Sequence, residues 1–254
     1  MKTRTVLFVS VFTLIASLAA VAQPTPTTLA ALEFQKPKNG MVKQYEDGRK
    51  QKAAWHKQQN DPQALYVWET LTGDDTGTYI VGRLNQHWAD FDKPPIPDQA
   101  DIDEYNKVIS SYVEALTARY YALLPKVSNP GQSTPTDKFA EIVTFQVRYG
   151  KGSEFQSAIA RVTEAAQKTK WPVDYIWYKL ASGGNTGTFV LVLPHKTWAD
   201  FEDKPDTKPF RDMLKDAFGG AQADSIIDWI NESVESESAQ IIQFRPDLSY
   251  LPAK

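Results

Sequence analysis

Trp88-Ala89-Asp90-Phe91 recurs letter for letter as Trp198-Ala199-Asp200-Phe201, and the segments leading into the two copies match as well. Tyr66-Val67-Trp68-Glu69-Thr70-Leu71 faces Tyr175-Ile176-Trp177-Tyr178-Lys179-Leu180, and Thr76-Gly77-Thr78-Tyr79-Ile80-Val81 faces Thr186-Gly187-Thr188-Phe189-Val190-Leu191. The match extends upstream, where Phe34-Gln35 faces Phe145-Gln146, and downstream, where Pro125-Lys126-Val127-Ser128 faces Pro246-Asp247-Leu248-Ser249. A repeat of about 110 residues constrains the fold more than any composition does, because each copy must form the same unit. The apolar pattern stops around Ser128 to Thr136. The expected organisation is a first repeat over 23–128, a linker over 129–137 and a second repeat over 138–254.

The first residues are read separately. Lys2 and Arg4 precede an uncharged run from Thr5 to Ala22 that closes on Ala20-Val21-Ala22, the order of a secretory signal peptide, so 1–22 is expected to be removed. The alternative is an uncleaved anchor, for which the run is barely long enough. Loss of Lys2 and Arg4 takes the formal net charge from -3 to -5. The mature chain is then expected in the periplasm or outside the cell, without stable membrane association. No basic field is present to draw in nucleic acid. The sequence holds no cysteine, which removes disulfides, thiolate catalysis and cysteine-held metal clusters together.

The second copy reads most clearly. Ala140 to Val147 is β-branched and aromatic, a strand; Phe155, Ile159, Val162 and Ala166 then form the stripe of an amphipathic helix. The Tyr175 and Thr186 segments form a hairpin with apolar residues on both faces, as for a sheet covered by helices on one side and buried on the other. Thr197 stands three residues before Asp200, the spacing of a helix N-terminus. A longer helical region follows through Phe210, Met213, Ile226 and Val234, and Ile241 to Phe244 is the closing strand. In the first copy the second helix is expected to carry Ile102, Tyr105, Ile109, Tyr112 and Leu116 on one face. Its first helix, around Tyr45 and Trp55, is weakly patterned.

The order β-α-β-β-α-β is ferredoxin-like. With the run Val147-Arg148-Tyr149-Gly150-Lys151-Gly152-Ser153-Glu154-Phe155 and the hairpin followed by Trp-Ala-Asp-Phe, the chain resembles the dimeric α/β-barrel superfamily. That superfamily includes antibiotic-biosynthesis-monooxygenase-like and NIPSNAP-like domains. The resemblance implies an α+β fold in which two ferredoxin-like sheets pack face to face as a barrel, here supplied by one chain in tandem. Chlorite dismutases look similar in having two such copies, but no motif selects them.

Candidate chemistry is sparse. His56, His87 and His195 have no metal-ligand spacing, and the repeat sets His195 opposite Asn85 and His87 opposite Thr197. His195, at a strand end, is the best candidate for an axial ligand or a general base. Asp90 and Asp200 are read as helix-start carboxylates, and Asp74-Asp75 as a hairpin turn. Tyr66 with Trp68 and Tyr175 with Trp177 alternate along equivalent strands, either as core or as walls of an aromatic pocket. If a pocket exists, it is expected in the second copy, lined by Tyr175, Trp177, Tyr178 and His195. The leading functional expectation is an exported barrel of undefined activity that binds a small apolar or aromatic ligand. Its rivals are a monooxygenase-like or haem-using enzyme, which the resemblance implies, and a structural or stress-related module without a pocket.

Overall fold

Strands β1 (Leu29–Pro37), β2 (Tyr66–Thr70), β3 (Tyr79–Gln86) and β4 (Val113–Leu123) come from the first half of the chain, with helices α1 (Val42–Gln58) and α2 (Asp98–Val108) between them. The second half supplies β5 (Phe139–Val147), α3 (Gly152–Thr169), β6 (Ile176–Ser182), β7 (Thr188–His195), α4 (Phe210–Phe218), α5 (Gly220–Ser233) and β8 (Val234–Phe244). The computed structural model describes residues 26–202, 204 and 206–253. The expected signal peptide lies outside them. Among the described residues no helix is long and apolar enough to cross a membrane.

Every strand pair is antiparallel, and the strands follow one another around a closed barrel in the order β1-β3-β2-β8-β5-β7-β6-β4. The two four-stranded sheets face each other across the lumen, and they are also joined edge to edge. Trp68 to Thr70 pair with Phe244 to Ile242, and Tyr121 to Leu123 pair with Leu180 to Tyr178. Closure leaves the sheet without a free seam where the halves meet. Two serines repeat this exchange. Ser128, just past β4, accepts the Trp177 N–H at 2.9 Å, while Ser249, just past β8, accepts the Val67 N–H at 2.9 Å.

Those serine bonds equate Val67 with Trp177, a separation of 110 residues, and the pairings of Gln35 with Tyr79 and of Phe145 with Phe189 give the same separation for β1 and β5. The letter matches of Tyr66 to Tyr175 and of Phe34 to Phe145 are therefore each slipped by one residue. A slip of one turns a strand over. Trp68 accordingly faces the lumen beside Ile80 and Phe244, whereas Trp177 faces outward against Phe155 and Phe145. The Trp-Ala-Asp-Phe elements do coincide. Each is a short 3-10 turn closed by a reciprocal cap, His87 with Asp90 and Thr197 with Asp200.

Two expected elements differ. The helical spacing of Ile109, Tyr112 and Leu116 does not continue α2, which ends at Val108; Val113 onward is β4, paired along its length with β1. The long helical region of the second half breaks at Gly219, whose φ of 83° belongs to the left-handed region that glycine enters without a Cβ clash. The second half thus covers its sheet with α3, α4 and α5, of 18, 9 and 14 residues. The first half has only α1 and the 11-residue α2. Phe155, Ile159, Trp177, Phe189, Met213 and Ile226 fill the outer layer of the second half as one apolar core.

Candidate functional site

The same layer in the first half is filled only in part, by a smaller core of Tyr45, Val67, Tyr79, Val108, Ile109 and Leu248. Between the outer face of β1, β3 and β4 and helices α1 and α2 lies a chamber of about 500 Å3. Helix α1 creates it. Tyr45, Arg49, Lys52 and His56 recur at spacings of four, three and four and present one face of the helix. On α3 the positions 110 residues later are Phe155, Ile159, Val162 and Ala166, all buried and all apolar. Arg49, Lys52 and His56 are equally buried, so α1 turns three nitrogen-bearing side chains into what is otherwise a core. Arg83 stands on β3 where Leu193 stands on β7.

The groups are anchored unequally. Lys52 donates from Nζ to the Asp101 carbonyl at 2.6 Å and lies 3.1 Å from Asp101 Oδ1; burial pulls its pKa down. Arg83 donates to Asp61 Oδ2 at 2.8 Å and to the Gln63 carbonyl at 3.3 Å. His56 lies with Nδ1 2.9 Å from Asp61 Oδ2 and Nε2 3.4 Å from Asp101 Oδ1, neither aligned as a hydrogen bond. Burial lowers its pKa to about 4. Asp101 and Asp61 oppose that shift, while Arg83 and Lys52 reinforce it. The imidazole is therefore neutral at neutral pH. Arg49 differs from the rest. It is 2% exposed, among the described residues no carboxylate lies within ion-pairing distance, and Nε and one terminal nitrogen have no hydrogen-bond partner.

The remaining walls are mixed: Glu33, Asp90, Asp98 and Asp101 bring carboxylates to the chamber, and apolar or aromatic side chains supply the rest. Ile96, Ile102 and Tyr105 come from α2 and the segment before it, Phe91 from the first Trp-Ala-Asp-Phe turn, and Leu116 and Tyr120 from β4. Phe91 and Tyr120 meet edge to face at 5.3 Å. Gly48 lets α1 close onto the end of α2, because a Cβ there would stand 2.0 Å from the Val108 carbonyl oxygen. An aromatic slot with a buried, unpaired guanidinium suits a flat organic molecule that carries an anionic group.

The four residues singled out in the second half do not share a cavity. Tyr175 is buried beneath α3, its hydroxyl donating to Thr163 Oγ1 at 3.1 Å, and Trp177 belongs to the same outer core. Tyr178 faces the opposite way, into the barrel lumen, as alternation along a strand requires. His195 ends β7 with its ring 4.0 Å from Phe201; its Nε2 is buried without a partner, and burial lowers its pKa. The sequence marks His56 only as a histidine without metal-ligand spacing and gives no signal at Arg49 or Lys52, because all three sit in a helix whose apolar pattern is weak. Setting α1 against α3 at a separation of 110 residues exposes them.

Among the described residues no three His, Asp or Glu side chains converge as metal ligands. The haem implied by the superfamily resemblance would draw on an unengaged axial side chain. Both nitrogens of His56 lie against carboxylates, and His195 lines neither the chamber nor the lumen. His87, with Nδ1 3.1 Å from the Thr27 carbonyl oxygen, lines neither cavity, so none of the three histidines fits that role.

No sequence-family model and no curated protein sequence matches the chain. Its structure is similar to that of a candidate monooxygenase from Lactobacillus acidophilus NCFM, at 7% identity and a TM-score of 0.53, covering 89% of this chain and 97% of the other. A candidate monooxygenase from Fusobacterium nucleatum matches at 12% identity and a TM-score of 0.53, over 86% of this chain and 93% of the other. The chlorite dismutase of Candidatus Nitrospira defluvii, solved with imidazole, matches at 9% identity and a TM-score of 0.51, over 88% and 93%. The fold is that of the dimeric α/β-barrel superfamily.

Proposed function

We propose that the chain binds a small aromatic or apolar molecule bearing a carboxylate or comparable anion, in the chamber beneath α1 and α2. The observation that carries this reading is Arg49, a buried guanidinium whose Nε and one terminal nitrogen lack any partner. A buried charge without a counter-charge is costly, and an anionic ligand is what offsets that cost. Thermal shift with a matched pair of probes tests it: benzoate is expected to raise the melting temperature and benzyl alcohol to leave it unchanged. Equal responses to the two, or none, would remove the anion from the proposal.

A monooxygenase-like activity is the second reading. The likeness to candidate monooxygenases supports it at the level of fold alone. Its test is mass spectrometry of 4-hydroxybenzoate incubated with the protein, dioxygen and an added two-electron donor such as NADH: one atom of dioxygen enters the ring and the other leaves as water. Haem is compatible with the fold but draws no support from the chamber's histidines. A pocketless structural module fits least well with a chamber of this size.

The proposal extends to origin and location. A duplicated ferredoxin-like unit is supported by the constant separation of 110 residues and by the exchanged serine bonds. Export, by removal of 1–22 at Ala22, rests on the sequence alone.

A further inference from the structure

The barrel holds a second cavity that the reading above does not use. The inward faces of the eight strands enclose about 320 Å3, walled largely by Leu32, Ile80, Ile142, Val192 and Ile242. Trp68 and Tyr178 occupy equivalent positions on β2 and β6, 110 residues apart, and both face this lumen. Each brings one polar group into an apolar wall, and the two are treated differently. The Trp68 indole N–H donates to the Pro135 carbonyl at 3.2 Å, which fastens the segment 133–137 across the lumen beside Ala140 and Pro194. The Tyr178 hydroxyl has no hydrogen-bond partner among the described residues, and burial pushes its pKa up to about 12. It keeps its proton and has nothing to give it to.

Other polar and charged groups line the lumen away from Tyr178, among them Asp75, Gln240 and Arg119, whose guanidinium lies over the Phe34 ring with Nε unpartnered, and Asp137 in the fastened segment. Thr144 and Ser238 pair across β5 and β8, four residues along β5 from Ala140 and so away from the fastened segment. On β6 and β7 the Tyr178 hydroxyl stands among Ile176, Val190 and Val192, the one donor on that stretch of wall among the described residues. An apolar void of this size is suited to a small organic guest.

We propose that the barrel lumen is a second binding site, for a small uncharged single-ring molecule whose carbonyl oxygen accepts the Tyr178 O–H, with residues 133–137 as its cover. Acetophenone and ethylbenzene, alike in shape and differing in the carbonyl, are the probes, titrated into the full chain by calorimetry or ligand-observed NMR. Acetophenone is expected to bind one per chain. Tyr178→Phe should weaken it about five- to tenfold, the worth of one hydrogen bond, and leave ethylbenzene unchanged. Ala140→Phe, which fills the lumen, should abolish both, while Arg49→Met in the outer chamber should alter neither. Absence of acetophenone binding, indifference to Tyr178→Phe, or loss with Arg49→Met would overturn the proposal, and the last result would move the guest to the outer chamber.

Discussion

Arg49 on α1 and Ile159 on α3 stand at equivalent positions 110 residues apart, each buried against the outer face of its own sheet. One half spends that position on packing. The other places there a guanidinium with two unpartnered nitrogens. Replacing Arg49 with the isoleucine of the second half should therefore stabilise the protein while it removes anion binding. A gain of about 1–3 kcal/mol is expected, since apolar substitutes for buried charges are commonly neutral or favourable. Chemical denaturation of Arg49→Ile measures it; a loss of stability would mean that the guanidinium is already satisfied in the folded chain.

His56 makes the stability of the first half dependent on pH. Its folded-state pKa, near 4, lies below the ordinary histidine value, so the unfolded chain takes up the proton first. The contribution is fully present above about pH 6.5 and is lost as the pH falls toward 4, by up to about 3 kcal/mol. Denaturant midpoints between pH 7 and pH 4, compared for the wild type and His56→Gln, isolate it. The variant should lose less stability on acidification than the wild type, and parallel curves would show that His56 charges freely.

Ser128 and Ser249 each accept a backbone N–H from the opposite half and donate to a carbonyl of their own, Leu124 at 2.9 Å and Arg245 at 2.8 Å. Alanine at either position leaves one strand amide without its partner, at a cost of about 1–2 kcal/mol. The two costs should be similar and nearly additive, because the sites lie on different seams. Urea titration of both single variants and the double variant gives the comparison.

Cleavage within residues 130–134 should leave two fragments that elute together. The β2–β8 and β4–β6 pairings join the halves without that segment. Arg245, just past β8, adds hydrogen bonds to Glu46 at 2.6 Å and Glu69 at 2.7 Å in the first half. Size-exclusion chromatography after limited proteolysis checks this, and separate folded fragments would contradict it.

Much of this architecture is readable from the chain, and the failures have physical causes. The Trp-Ala-Asp-Phe repeat, its capped turns and the two-faced hairpin strands follow from local chemistry and were legible. Identity of letters misled at Tyr66-Val67-Trp68 and Tyr175-Ile176-Trp177, because strand side chains alternate and a match displaced by one residue exchanges lumen for outer face. Strand β4 is hidden by the helical spacing of Ile109, Tyr112 and Leu116, which α2 does not follow beyond Val108 and which pairing with β1 overrides from Val113 onward. The chamber was hidden for the opposite reason. Arg49, Lys52 and His56 break the apolar stripe of α1 and make it look like a poor helix, when they are the polar lining of a cavity.

Calorimetric titration of benzoate into the wild type and Arg49→Met at neutral pH tests the central claim, that the first half holds an anion-anchored site. One molecule per chain is expected, with binding at least about tenfold weaker in the variant, the scale of a charge-assisted hydrogen bond in a buried site. Equal affinity in the two proteins would contradict the account.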